Sequence, residues 1–251
     1  METVIPLKTP AEIEIMREAG RVVSGALDLA EREIRPGMTT AELDKLIEEF
    51  ILSKNAVPGF KNYHGYPASA CISVDEEVVH GIPGKRVLHE GEIVSVDVGS
   101  IVKDFYGDSA RTFPVGKIGP EKQRLMDCTR DSLMAGIDKA RKGNTLGQIS
   151  AAVQKVAEGA GYGVVRQLVG HGIGRKMHEE PQVPNFGSPK EGPVLQVGMV
   201  ICIEPMINMG TYDVKTMPDG WTVVTADGQP SAHFEHTVAI TEDGPRILSL
   251  S

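Results

Sequence analysis

The chain has 251 residues, 41% of them hydrophobic, and a net charge of −8 from 34 acids against 26 bases. That length buries a substantial core in one large domain or two small ones, no apolar run approaches the about 18 residues of a membrane helix, and an acidic chain without a Lys/Arg-rich run is poorly suited to direct nucleic-acid binding. The N-terminus shows no basic region followed by an apolar stretch, which argues against a signal peptide, and Cys71, Cys128 and Cys202, odd in number and without a CxxC, predict neither a disulfide framework nor a thiolate zinc site, so a reducing, cytoplasmic setting is expected.

In chain order, Thr9 and Glu12 spell a capping box with Pro10 at the first helical position. Ile13, Met16, Gly20, Val23, Leu27, Ala30 and Ile34 then recur at helical spacing, giving a first helix. Pro36-Gly37 interrupts, and Thr39 with Glu42 restarts a second helix that carries Leu43, Leu46, Ile47, Phe50 and Ile51 on one face.

The stretch "IVSVDVGSIVKDFYGDSART", Ile93 to Thr112, reads as a β-hairpin. Alternation puts Val94, Val96 and Val98 on one face and Ser95, Asp97 and Gly99 on the other. A reversal midway between Val102 and Lys103 sets Asp97 opposite Asp108, with β-carbons about 5 Å apart, where like charges destabilise a sheet unless a proton or a metal lies between them.

The plan of the first hundred residues then returns. "RKGNTLGQISAAVQKVAEGAG" aligns with the first helix-turn-helix stretch at an offset of 106, pairing Arg35 with Arg141, Gly37 with Gly143, Thr39 with Thr145, Leu43 with Ile149 and Ile47 with Val153. A helix precedes each copy, the later one expected from about Glu121 to Lys142. "VLHEGEIVSVD" matches "VLQVGMVICIE" at an offset of 107, so Gly91 pairs with Gly198 and Asp97 with Glu204. "HGIPGKR" from His80 resembles "HGIGRK" from His171, and in "SAHFEHTVAI" the residues His233, Glu235 and Thr237 share a strand face, with Glu235 the counterpart of Asp108.

A duplicated unit with an acid hairpin in each copy brings Asp97, Asp108, Glu204 and Glu235 together where the copies meet. Bare, each pair would cost several kcal/mol at low effective dielectric. Two divalent cations neutralise four carboxylates, and an Asp/Glu shell completed by His171 suits Mn, Fe, Co or Zn better than Ca. Two metals about 3.5 to 4 Å apart acidify a shared water, so the arrangement predicts hydrolysis of an amide or ester. Taken singly, His80, His171 and His178 would be structural histidines, His233 and His236 read equally well either way, and Cys202 reads as a buried inert thiol.

The same residues carry a resemblance. Asp97 and Asp108 in "DVGSIVKDFYGDSARTF", His171 in "GHGIGRKMHEEP", Glu204 in "ICIEPMI" and Glu235 in "SAHFEHTVAIT" resemble, in order and with matching neighbours over nearly the whole chain, the metal-binding motifs of the methionine aminopeptidases in the pita-bread peptidase superfamily. With Glu204 33 positions after His171 and no helical insert, the chain is similar to the type I form without a zinc-finger extension.

The resemblance implies an α+β pita-bread fold: one catalytic domain over 1–251, with two pseudo-twofold-related α/β halves at about 10–115 and 116–251, a curved and mainly antiparallel central sheet, and helices on its outer face. It implies Asp97 on one metal, His171 and Glu204 on the other, Asp108 and Glu235 bridging, and Glu204 shuttling protons. It also implies that His80 and His178 contact the scissile peptide, and that Tyr63, Tyr66, Cys71 and Trp221 wall a methionine pocket, with Met177 standing where many relatives carry an aromatic residue. The expected function is removal of the N-terminal methionine from nascent polypeptides with a small second residue. The expected partners are nascent N-termini, with the ribosome a candidate contact, no membrane, and a monomeric chain. The rivals are a proline-directed peptidase on the same scaffold and a noncatalytic peptide-binding relative.

Overall fold

Thr9 closes its capping box as the sequence requires: Glu12 N–H donates to Thr9 Oγ1 at 3.3 Å and Glu12 Oε2 accepts from Thr9 N–H at 2.9 Å. Helix α1, Pro10–Glu33, starts there and buries Ile13, Met16, Val23, Leu27 and Ala30. In the computed structural model, which describes residues 4–250, three further helices follow: α2 at Thr40–Ser53, α3 at Pro120–Lys139 and α4 at Leu146–Gly159.

Among the described residues all paired strands are antiparallel. In one ladder Ile93–Val102 is bonded to Val57–Pro58, Ala70–Val74 and Phe105–Pro114. A second, five-stranded ladder runs Gly244–Ile247, His236–Thr241, Val200–Ile203, Gly170–Gly172, Glu179–Val183. Two three-stranded ribbons complete the sheet structure. The ladders are stitched where Phe105–Pro114 meets the segment after Ala232: Glu235 N–H donates to the Ala110 carbonyl at 2.9 Å, Ser109 Oγ to the Glu235 carbonyl at 2.6 Å and Thr237 Oγ1 to the Asp108 carbonyl at 2.7 Å.

Both copies of the repeat close the same contacts. Gly37 N–H reaches the Leu88 carbonyl at 2.8 Å and Gly143 N–H the Leu195 carbonyl at 3.0 Å; Thr39 bridges Val87 and Thr145 bridges Val194. Gly37 (φ +89°) and Gly143 (φ +86°) hold the left-handed backbone that lets each chain turn back. One core cluster packs the α1 and α2 faces against Val94, Val96 and Val98, and another packs the α3 and α4 faces against Ile201, Ile203 and Val238.

Three expectations are corrected. Helix α3 ends at Lys139 rather than Lys142, because the chain must leave the helix for Gly143 to reach Leu195; the first copy has Pro36 to announce that exit, while the second has Lys142. The segment from Ser231 is not one continuous strand, since Phe234 N–H bonds the Pro205 carbonyl and Glu235 N–H the Ala110 carbonyl, which breaks the ladder between Ser231–His233 and His236–Thr241. The hairpin reverses between Lys103 and Asp104, both at positive φ (49° and 65°), so Asp97 lies opposite Ala110 and Asp108 opposite Gly99. Two left-handed residues are what a tight two-residue hairpin demands, but Lys-Asp does not advertise it as Asn-Gly would.

Candidate metal centre

The corrected register still leaves both hairpin acids on one face. Opposed residues share a face, as do residues two apart along a strand. Asp97 and Asp108 are therefore diagonal neighbours, with Cys71 the cross-strand partner of Asp97 on its other side. In the second copy Ile203 pairs with His236 and Met206 with His233, one register on both sides of the break, which sets Glu204 opposite Glu235.

All four carboxylates and His171 line one cavity of about 420 Å³. His171 Nδ1 donates to the Gly172 carbonyl at 2.9 Å. That bond fixes the tautomer and leaves Nε2 facing the acids as an acceptor, 3.6 Å from Glu204 Oε1 and 3.8 Å from Asp108 Oδ2. Burial, then the charge of His178, pushes His171 down to about 3, so the ring is neutral. Burial and then the neighbouring acids push Asp97, Glu204 and Glu235 well above the usual carboxylate range, and burial raises Asp108 to about 7.

Asp97 Oδ1, Asp108 Oδ1 and Glu235 Oε1 are buried without a hydrogen-bond partner. Buried acceptors left unpaired are costly, and oxygens converging on one another find no donors among themselves once ionised. Divalent cations fit this donor set of carboxylate oxygens and a neutral imidazole. Asp108, His171, Cys202 and Glu235 offer atoms that all lie within 4.8 Å of one another. Of these Cys202 is the weakest donor, because burial, then Glu235, keeps its thiol protonated, and Sγ lies 3.7 Å from Thr237 Oγ1.

The other expected site residues line the same cavity: Tyr63, Tyr66, Cys71, His80, Met177, His178 and Trp221. Tyr63 OH and His178 Nδ1 are 2.7 Å apart, and the His178 ring centroid lies 4.3 Å from that of His171. The loop bearing His178 is tied down by a buried ion pair, Lys8 Nζ to Glu179 Oε2 at 2.6 Å. Tyr66 OH donates to the Gly81 carbonyl at 2.9 Å, and its ring lies edge to face with Trp221 at 5.1 Å. Asp219 holds that turn through Trp221 N–H at 2.9 Å and Thr222 Oγ1 at 2.6 Å. His80 follows the strand Glu77–Val79 at φ +60° and is pushed down to about 4 by burial and then by His178.

The lining includes residues that carry no sequence signal: Phe60, His64, Val79, Leu168, Val169 and Met206. Met206 lies within "ICIEPMI", and the others come from loops and a ribbon strand outside the quoted motifs. His233 and Asn185, each 1% exposed, stand behind Glu204. Alternation alone puts His233 on the Glu235 face, whereas nothing in the sequence marks Asn185.

Residues 14–242 match the model of metallopeptidase family M24. A methionine aminopeptidase of Clostridium acetobutylicum is 54% identical over 98% of this chain and 99% of its own length. The crystal structure of a methionine aminopeptidase from Thermotoga maritima superposes with a TM-score of 0.97 at 45% identity, covering 99% of this chain and all of that one. A prolidase from Pyrococcus furiosus shares the fold alone, with a TM-score of 0.81 at 24% identity over 65% of its length.

Proposed function

The chain belongs to metallopeptidase family M24, and from that premise we propose that it removes the N-terminal methionine from polypeptides whose second residue is small. The observation that carries this reading is the convergence of four carboxylates and a neutral imidazole, with three orphaned buried oxygens among them, at the end of a cavity walled by Tyr66, Cys71, Met177 and Trp221. A long apolar side chain fits such a wall, and a thioether gains from its aromatic and sulfur neighbours.

Asp97, Asp108, His171, Glu204 and Glu235 would hold two divalent ions, Mn, Fe, Co or Zn. Bound there, such ions supply Lewis acidity to the scissile carbonyl and acidify the attacking water. Glu204 accepts the proton of that water and passes it to the departing amine. His178, held at Nδ1 by Tyr63 OH, presents Nε2 towards the carbonyl oxygen as negative charge develops on it, and His80, which lines the same cavity, supports the same oxygen. The α-amino group of the substrate meets the acid-lined end of the cavity, which favours a free N-terminus over an internal peptide.

The test is steady-state cleavage of Met-Ala, Met-Glu and X-Pro peptides with Mn, Fe or Co, beside a Glu204→Gln variant. Rapid hydrolysis of Met-Ala, slow hydrolysis of Met-Glu and loss of activity in the variant are expected. Preference for X-Pro would move the assignment to the proline-directed members of the family, and metal uptake without any hydrolysis would favour a binding role. The nascent chain on the ribosome is the natural source of such an N-terminus, and no described helix is long and apolar enough to cross a membrane.

A further inference from the structure

His233 is 1% exposed and its Nε2 has no hydrogen-bond partner. The backbone of His233 is clamped on both sides by one hydroxyl: its N–H donates to Thr112 Oγ1 at 2.9 Å, and Thr112 Oγ1 donates to its carbonyl at 2.8 Å. Ser95 Oγ in turn lies 2.8 Å from Thr112 Oγ1. The backbone that carries the imidazole is thus held on both sides, and the ring atom without a partner lies 3.7 Å from Glu204 Oε2. That separation is roughly 0.8 Å beyond the usual N–H···O distance. Glu204 is held from the other side through its main chain, where Asn185 Nδ2 donates to its carbonyl at 3.0 Å. Its Oε1 faces His171 at 3.6 Å.

We infer that His233 is a positioning residue for Glu204: its Nε2–H closes onto Glu204 Oε2, leaving Oε1 turned into the cavity. This rests on the reading of Glu204 as ligand and proton acceptor. A buried orphan donor destabilises the fold, so a strictly structural role would be better filled by a leucine. A donor aimed at a carboxylate fixes which oxygen points where, and outer-shell groups of this kind typically change metal affinity or activity 10–100-fold. His233 lies behind Glu204 and outside the cavity lining, so substrate affinity should not depend on it.

The experiment compares wild type with His233→Leu and His233→Gln, the glutamine amide placing a donor near where Nε2 lies. Manganese affinity is read by calorimetry, kcat and KM with Met-Ala peptide, and Tm in chelator. His233→Leu should lower kcat about tenfold and weaken manganese binding about tenfold or more, with KM unchanged and Tm unchanged or raised. His233→Gln should restore most of both losses. Wild-type kcat and manganese affinity in His233→Leu would overturn the inference, and so would a His233→Gln protein as impaired as the leucine variant. If His233→Leu does not fold, His233→Asn, whose amide is too short to reach Glu204, takes its place with the same expected losses in kcat and manganese affinity. Wild-type protein that takes up no manganese would overturn the reading beneath the inference and the inference with it, an outcome the calorimetry distinguishes because it needs no substrate.

Discussion

Asp108 stands opposite Gly99, not opposite Asp97, across the central hairpin. The missing side chain at Gly99 makes room for the cavity floor: a Cβ there would lie 2.7 Å from Phe60 Cε1 and 2.8 Å from Met177 Cε. The Met177 methyl can swing aside, but the Phe60 ring cannot move without losing its own packing. Gly99→Ala should therefore raise KM for Met-Ala peptide several-fold with little change in kcat, the pattern of lost ground-state binding. It should also destabilise by about 1–3 kcal/mol. An unchanged KM would remove Gly99 and Phe60 from the account of the pocket.

Stability in chelator should depend on pH through the acid cluster. Asp108 is raised to about 7 in the fold, against about 3.9 in an unfolded chain. Between those values the folded state holds a proton that the unfolded state has released, so the contribution is present at low pH and is lost as pH rises through about 7. Asp108→Asn has no such proton to lose. Its Tm advantage over wild type in EDTA should widen from pH 5 to pH 7, and a constant difference across that range would contradict the assignment.

Metal uptake should run the opposite way. The carboxylates are held above their usual range by burial and mutual repulsion, so a divalent ion must displace protons to bind. Calorimetry in two buffers of different ionisation enthalpy should reveal net proton release and affinity that climbs from pH 6 to pH 8. Proton-independent binding would place the ion elsewhere.

Tyr63→Phe removes the hydroxyl that lies 2.7 Å from His178 Nδ1. With its orientation loosened, His178 should support the developing oxyanion less well, and kcat should fall by about tenfold while metal affinity stays at the wild-type level. A fall in metal affinity instead would mean that Tyr63 acts on the carboxylate cluster.

Thr39→Ala deletes the cap of α2, whose hydroxyl accepts from Glu42 N–H at 3.2 Å. A loss of about 1 kcal/mol in urea unfolding is expected, with catalytic constants unchanged because α2 lies outside the cavity.

Local chemistry was legible in the sequence wherever a few neighbouring residues decide the outcome. The capping boxes at Thr9 and Thr39 start α1 and α2 at the residues their spacing requires, and the acid at the end of each repeat, Asp97 and Glu204, lines the cavity. The hairpin register was not legible, because Lys103 and Asp104 take left-handed conformations for which their side chains give no sign. The end of α3 was overrun because Gly143 is drawn to Leu195, a partner 52 positions away. Phe60, Leu168 and Asn185 escaped for the same reason. Their roles come from where the fold delivers them, not from any pattern around them.

The central claim is that Asp97, Asp108, His171, Glu204 and Glu235 close around divalent metal. Anomalous difference maps from crystals grown with saturating manganese, recorded on both sides of the manganese edge, test it most directly. Two peaks about 3.5 to 4 Å apart inside the ring of these five side chains are predicted. Manganese bound only elsewhere, or the four carboxylates turned out towards bulk water, would contradict it.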